Sequence, residues 1–375
     1  MTTTAKKDIE TKMVKGRIRF VGAARRFLED EGYLEVQTPV LHRRLGGFEK
    51  GVGFTSFSSS LGERLWFRAA PELYLKRLLA EWNDPAADKI FELAVCMRDE
   101  WDEHAPWEGF DRPEFTLLEV YTKADDHWSL EKLLHGLAEQ AIARLESEKL
   151  IAGEQAKDAV ARLHRPWERK TYAELLRTLD PAFELETLLR HTWAQISRSG
   201  GDATARQAKA IQARAEDARL RDACAELAYQ SGRLAPYLRV GPQGYWYDFL
   251  DHAFRMRIAP TLKGPVLVHG LPLESSPLAE SEDGVHCQKW ELYVDGLRVA
   301  LAQRVRFQHL DHLRRLGYDL LPEPDETFID ELGRWPAGRP LIGMGVYVDR
   351  LAGSVLGIVT KDGTGQERML PNLFK

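Results

Sequence analysis

Apolar residues recur at helical spacing from Lys15 to Asp30, at Ile18, Val21, Ala24, Phe27 and Leu28, which predicts an amphipathic helix. The polar start, residues 1–14, is expected to be flexible. Gly32 stops the helix, Tyr33-Leu34-Glu35-Val36 alternates as a half-buried strand does, and Pro39 follows directly. Leu65 to Phe67 is short and apolar, and Pro71 takes a first-turn position in a helix reaching about Trp82. Two strand-like runs cover 89–97 and 114–122. Their link, Asp99 to Arg112, is charged, aromatic and too long for a tight turn, so it reads as a working loop. A helix is predicted over 128–147, strands over 265–269 and 289–294, a turn at Asp295-Gly296, and a helix over about 303–316. LIGMGVYVDRLAGSVLG reads as a glycine-spaced strand running into a helix.

Residues 181–245 carry Ala, Arg, Gln and Glu at helical density, with Leu220, Cys224, Leu227 and Ala228 on one face, and are read as a helical insertion. A mixed charge run of this kind is more often a solvated packing or dimer helix than a site. The mixture of elements is α+β, and 375 residues suit one large domain with an insertion.

Composition narrows the function classes. Hydrophobic residues make up 44% and charged residues 29%, as in a soluble globular protein. The net charge of -5 lacks the basic excess of a protein that lives on phosphate backbones. Cys96, Cys224 and Cys287 form no CxxC pair, so neither a disulfide framework nor a zinc site is indicated. No apolar stretch approaches the roughly 18 residues of a membrane span, and the start lacks a signal-peptide core. The expectation is a cytoplasmic protein with no membrane partner.

Three separated segments carry the chemistry: FLEDEGYLEVQTPVL (27–41), KIFELAVCMRDE with RPEFTLLEVY (89–100 and 112–121), and GMGVYVDRL (343–351). In that order they resemble motifs 1, 2 and 3 of the class II aminoacyl-tRNA synthetases. FRAAPELYLKRLL (67–79), HGLPLESSPLAE (269–280) and KWELYVDGLRV (289–299) resemble the lysyl-type enzymes in particular, including the elongation factor P lysine ligase. Each segment alone is weak; a lone GxG is ordinary. The resemblance implies an antiparallel sheet of about six strands flanked by helices, with 15–375 as the catalytic domain and a homodimer formed through 17–41. The motif 1 helix begins near Lys15, so no anticodon-binding barrel is expected, as in the elongation factor P ligase.

The resemblance also implies ATP, magnesium and an amino acid as ligands. Activation is attack by a carboxylate on the α-phosphorus of ATP, so two anions must be brought together and positioned cations stabilise the developing charge. Arg98 matches the arginine that holds the α-phosphate and the substrate carboxylate, a task for a planar fork of donors. Arg350 matches the arginine over adenine, Phe115 the aromatic on its other face, and Glu100 the contact to its amino group. Glu72 matches the carboxylate that receives the α-ammonium, and Glu291 one of two that hold magnesium. Plainer readings stand beside these. Phe115 could be core, Glu72 a carboxylate favoured by a helix N-terminus, and Arg350 a helix cap or a partner of Asp349.

The departures cluster. Arg298 stands where the second magnesium carboxylate belongs, and is expected to meet an ATP phosphate directly or to neutralise another acid, which leaves Glu291 to place one ion; Lys289 stands where the family has an arginine. Leu301, Gln303 and Val305 replace Asn, an aromatic and Glu in the side-chain pocket, while Glu119 and Tyr121 remain. Burying an ammonium against leucine and valine costs several kcal/mol, so lysine is disfavoured. Tyr347 replaces the third motif 3 glycine and should narrow the pocket. The expected function is an AMP-forming ligase that passes an aminoacyl group to a protein, carrier or small molecule, with tRNA not the expected acceptor. The alternatives are a non-catalytic or regulatory relative and lysyl-type tRNA charging.

Overall fold

The computed structural model describes residues 3–43, 53–82, 88–98, 114–151, 153–163, 166–178, 254–273, 276, 278–307, 339–356, 360–361 and 367–368. The elements in chain order are α1 (Thr3–Asp30), β1 (Leu34–Glu35), β2 (Leu41–His42), β3 (Thr55–Ser58), β4 (Glu63–Phe67), α2 (Glu72–Glu81), β5 (Lys89–Met97), β6 (Glu114–Thr122), α3 (Ser129–Ser147), α4 (Glu154–Leu163), β7 (Glu168–Thr171), α5 (Tyr172–Leu176), β8 (Pro265–His269), β9 (Lys289–Val294), β10 (Leu297–Arg304), β11 (Ile342–Tyr347) and α6 (Val348–Leu356).

The main sheet runs β1-β5-β6-β11-β10-β9-β8-β7. From β5 to β8 every pairing is antiparallel, which is the expected six-stranded sheet. A short parallel strand extends it at each edge, β1 on β5 and β7 on β8, giving eight strands. β2, β4 and β3 form a separate three-stranded sheet.

Side chains alternate across the strands, and the two faces differ in chemistry. On one face Phe91, Leu118, Val120, Met344, Val346, Ala300, Ala302, Trp290 and Leu292 are buried against helices. The helices supply Phe20, Ala24 and Leu28 from α1, Leu130, Leu134 and Leu137 from α3, and Leu351 and Val355 from α6. Each such large side chain contributes ~1.5–3 kcal/mol when fully buried. Trp290 also donates its indole N–H to the His127 carbonyl at 3.2 Å, so its one polar atom is satisfied. Among the described residues no helix is long and apolar enough to cross a membrane.

Two expectations need correction. α1 is helical from Thr3 rather than from about Lys15. Ala5, Lys6, Lys7, Glu10, Lys12 and Met13 are strong helix formers, and their propensity extends the helix without an apolar stripe. The helix expected from 303 is also absent over its first residues. β10 continues to Arg304, and Val305 bridges to Ala279. Backbone pairing of Ala302, Gln303 and Arg304 with β11 overrides a sequence whose apolar spacing also suits a helix. The 99–112 loop, the 181–245 insertion and positions 308–316 lie outside the described residues.

The turn at Asp295-Gly296 joins β9 to β10 with φ of 49° and 88° at the two positions, the signature of a primed hairpin turn. A Cβ on Gly296 would lie 2.6 Å from the Ala259 carbonyl oxygen, which is backbone and cannot swing away. Gly296→Ala is therefore expected to destabilise the fold by ~1–3 kcal/mol. Urea unfolding checks this: the midpoint should fall while the slope stays constant.

Candidate active site

The sheet face opposite the helices carries the expected site residues, and strand register aligns them. Glu92 of β5 pairs with Glu119 of β6, Glu119 with Gly345 of β11, Gly345 with Leu301 of β10, and Leu301 with Glu291 of β9. A second row joins Tyr121, Gly343, Gln303 and Lys289. The glycine spacing of β11 has a steric cause. A Cβ on Gly343 would lie 2.3 Å from the Tyr121 ring, and one on Gly345 would lie 2.8 Å from Glu119 Oε1. The two glycines make room for the tyrosine and the carboxylate beside them.

A cleft opens over these rows, with about 480 Å³ of empty space including its mouth. Glu72, Arg98, Glu119, Tyr121, Leu301, Gln303 and Tyr347 all line it. Val305 does not reach it. This residue is buried among Leu75, Leu79, Ile90, Tyr121 and Leu341, and its backbone bridges Ala279 and donates to the Leu341 carbonyl. Glu100 lies outside the described residues.

The acidic wall is partly compensated. Glu72 lies in the first turn of α2, as its plainer reading required, yet its carboxylate also faces the cleft. There it accepts from the wholly buried Lys76 and, at 3.3 Å, from Gln303 Nε2. Burial pushes Glu119 well above the ordinary value of 4.5, and the nearby Glu72 adds to the rise. Lys76, Arg98 and the Tyr121 hydroxyl work against it. Burial likewise raises Tyr121, with Glu72 and Glu119 adding to it.

On the other side of Arg98 the site becomes aromatic and cationic. Arg98 leaves the end of β5 and donates to the Ala69 carbonyl at 3.1 Å. Its guanidinium carbon lies 4.9 Å from the Phe115 ring centroid. Phe115 is partly buried and packs against the cluster of Ala94, Cys96 and Leu117. The Phe115 and Tyr347 centroids are 6.5 Å apart, and Arg350 covers Tyr347 at 4.4 Å. Phe115 thus has Arg98 beside it, Tyr347 has Arg350 and Arg298 beside it, and the two rings are neighbours. Arg350 does not pair with Asp349: it donates to the Arg298 carbonyl at 3.0 Å, while Asp349 pairs with Arg17 at 2.5 Å.

Glu291 sits at the far end of the first row, 3% exposed. Its Oε1 accepts from Lys289 at 2.8 Å and from Arg298 at 3.1 Å, and its Oε2 from the Tyr293 hydroxyl at 3.0 Å. Burial alone would raise the carboxyl, but Arg298 and Lys289 outweigh it and hold Glu291 well below the ordinary range. A magnesium ion needs oxygen donors with open lone pairs at ~2.0–2.1 Å. Here both oxygens are engaged by cations or a hydroxyl. Among the described residues no group of three or more His, Cys, Asp or Glu could hold a metal. The residues present do not fit a magnesium ion on Glu291.

Several supporting residues carried too little signal in the sequence. Arg17 bonds both Asp349 and, at 2.6 Å, Thr116, so α1 fixes the start of α6 and the start of β6 together. Arg68 and Glu92 pair at 2.5 Å, both buried, and Thr38 bonds each of them. Nothing in the spacing of 17, 38, 68 and 92 marks these as partners. Lys76, one turn after Glu72, and Tyr293, two residues after Glu291 on the same strand face, could have been found from periodicity.

A six-stranded antiparallel sheet carrying an arginine–aromatic cluster beside an acidic cleft defines an aminoacyl-tRNA-synthetase type of site. The family of class II tRNA synthetases (D, K and N) matches over residues 3–358, and the chain belongs to that family. The chain is similar to lysine–tRNA ligase 2 of Methanosarcina mazei, 27% identical over 353 residues, covering 91% of this chain and 59% of the relative. Lysine–tRNA ligases of Enterococcus faecalis and Kineococcus radiotolerans are 29% and 28% identical, covering 89% and 92% of this chain and 59% and 61% of theirs. The chain therefore spans about three-fifths of the length of these relatives.

The state of Glu119 gives a test by pH. Its folded form holds the proton more tightly than the unfolded chain does. The associated stability is complete below about the ordinary value of 4.5 and is lost as pH rises through the higher folded value. Glu119→Gln removes that loss while keeping the shape. It is expected to melt above wild type at about pH 8 and to converge with it towards acid, as followed by thermal melts across pH. A variant that melts lower at every pH would contradict the assignment.

Proposed function

We propose that this chain activates an amino acid as its adenylate, with ATP as the second substrate, and passes the aminoacyl group to an acceptor other than tRNA. The observation that carries the reading is the position of Arg98. One guanidinium borders both the acidic cleft with Glu72 and Glu119 and the aromatic ledge of Phe115 and Tyr347. In this role Arg98 holds the substrate carboxylate against the α-phosphate, so that a carboxylate oxygen attacks phosphorus and pyrophosphate leaves. Glu72 receives the α-ammonium, Glu119 and Tyr121 line the side-chain pocket, and Phe115 and Arg350 hold the base. The acidic charge balance supports a non-tRNA acceptor.

Leu301 and Gln303 line the side-chain end of the cleft, which supports an amino acid other than lysine as the best substrate. The names of the relatives favour a second reading, lysine charging of tRNA.

ATP–pyrophosphate exchange across the standard amino acids and β-lysine separates these readings. Exchange is expected, strongest with an amino acid other than lysine, and Arg98→Ala should cut it by at least ~10²-fold without lowering the melting temperature. A well-folded protein that exchanges with none of them sinks the proposal. Lysine as best substrate, with lysyl transfer to tRNA, would establish the second reading.

The chain is also proposed to act as a homodimer through 17–41. Ile18, Leu34, Val40 and Leu41 are large, apolar and exposed there, a pattern that marks an interaction surface. Leu34→Glu combined with Leu41→Glu should shift the mass measured by light scattering from dimer to monomer. An unchanged mass would place the interface elsewhere.

A further inference from the structure

The cluster around Glu291 contains two cations and one anion. Lys289 and Arg298 both lie on the same carboxylate oxygen, at 2.8 and 3.1 Å. Lys289 is anchored from behind by the Ser276 hydroxyl at 2.9 Å, and the Tyr293 hydroxyl holds the other oxygen. These groups together keep one net positive charge. It is Arg298 that reaches the open side, 25% exposed against 10% for Lys289 and 4% for Glu291.

The backbone is built to aim Arg298 there. Strict alternation along β10 would send position 298 to the helix-packed face with Ala300 and Ala302. A β-bulge between Arg298 and Ala300 shifts the register, so that Arg298 pairs with Tyr293 and joins the face of Glu291 and Leu301. Its guanidinium then bonds the Tyr347 hydroxyl at 3.3 Å and lies 5.6 Å from the centroid of that ring. Its carbonyl receives Arg350. Arg298 is thus fixed by a carboxylate on one side and a phenol on the other, at the edge of the aromatic ledge.

We propose that Arg298 is the built-in cation of a polyphosphate subsite, and that the Glu291 cluster binds nucleoside polyphosphate without a divalent ion held by the protein. The inference rests on the ATP-using reading above and adds how its phosphates are held. A divalent ion on Glu291 would bring two further positive charges beside the ammonium and the guanidinium already on that carboxylate. A phosphate oxygen meets a preorganised guanidinium instead, in the geometry that favours it.

Nucleotide binding measured by calorimetry, with no amino acid present, tests this apart from turnover. Wild type should bind ATP in EDTA no more than about threefold more weakly than in millimolar magnesium, because its own cation does the work. Arg298→Met, with folding checked by its melting temperature, should weaken ATP in EDTA by about tenfold or more while changing adenosine little. Arg298→Glu, which places a second carboxylate beside Glu291, should make ATP binding magnesium-dependent. Wild-type binding that falls tenfold or more in EDTA overturns the inference and leaves adenylation standing. Undiminished ATP binding by Arg298→Met also overturns it. Absence of ATP binding in either buffer overturns both readings. Magnesium-independent, Arg298-dependent binding with no exchange activity upholds the inference and sinks adenylation alone.

Discussion

The pleat of the central sheet is the constraint on which everything else depends. Six antiparallel strands stay in register from β5 to β8, so alternate side chains sort cleanly onto two faces. One set, including Leu118, Met344, Leu292 and Trp290, docks the three long-range helices α1, α3 and α6. The other set brings residues far apart in sequence into one row above the sheet. A slip of one residue in any single strand would exchange the sets, exposing core and burying charge. The packing of the helices and the assembly of the cleft are therefore one structural fact seen from two sides. The bulge in β10 is a local exception, and it turns a charged side chain rather than an apolar one towards Glu291 and Tyr347.

The charged face is organised by pairing. Glu92 is held by Arg68, Glu72 by Lys76, and Glu291 by Lys289 and Arg298. Buried ion pairs add little net stability, since desolvation offsets the attraction. Their effect is positional: removing one partner strands the other, so each pair locks a geometry. Glu119 differs, since its direct partner is the phenol of Tyr121 and burial raises its proton affinity. Burial thus raises Glu119, while Arg298 and Lys289 hold Glu291 low on the same sheet face. Arg17 carries the same logic to the periphery, tying α1 to both strand and helix of the site with a single guanidinium.

Much of this was legible in the chain. The limits of β5, β6, β8 and β9 follow from short apolar runs bounded by turn residues, because strands buried between layers leave that mark. The three motif segments and their order identified the family, and register brought Arg98, Phe115 and Tyr347 together with Arg350. What was missed has physical reasons. The first turns of α1 rest on propensity rather than on an apolar stripe. The end of β10 reads as a helix because pairing with β11, not local pattern, decides its shape. Val305 follows the strand of Leu301 and Gln303, but its side chain joins an apolar cluster with Leu75, Leu79 and Leu341. The approach of Arg298 to Glu291 depends on a bulge that no spacing rule reveals.

The ring of Tyr347, neighbour to Phe115 and covered by the guanidinium of Arg350, carries a thermodynamic consequence. The protein already satisfies its own stacking surfaces. A planar ligand that claims the same shelf does not meet a vacant slot; it swaps one aromatic companion for another, and its affinity measures only the difference between the two. Discrimination at this shelf then falls to whatever the newcomer offers beyond its flat face, and hence to the polar groups arranged around the rim.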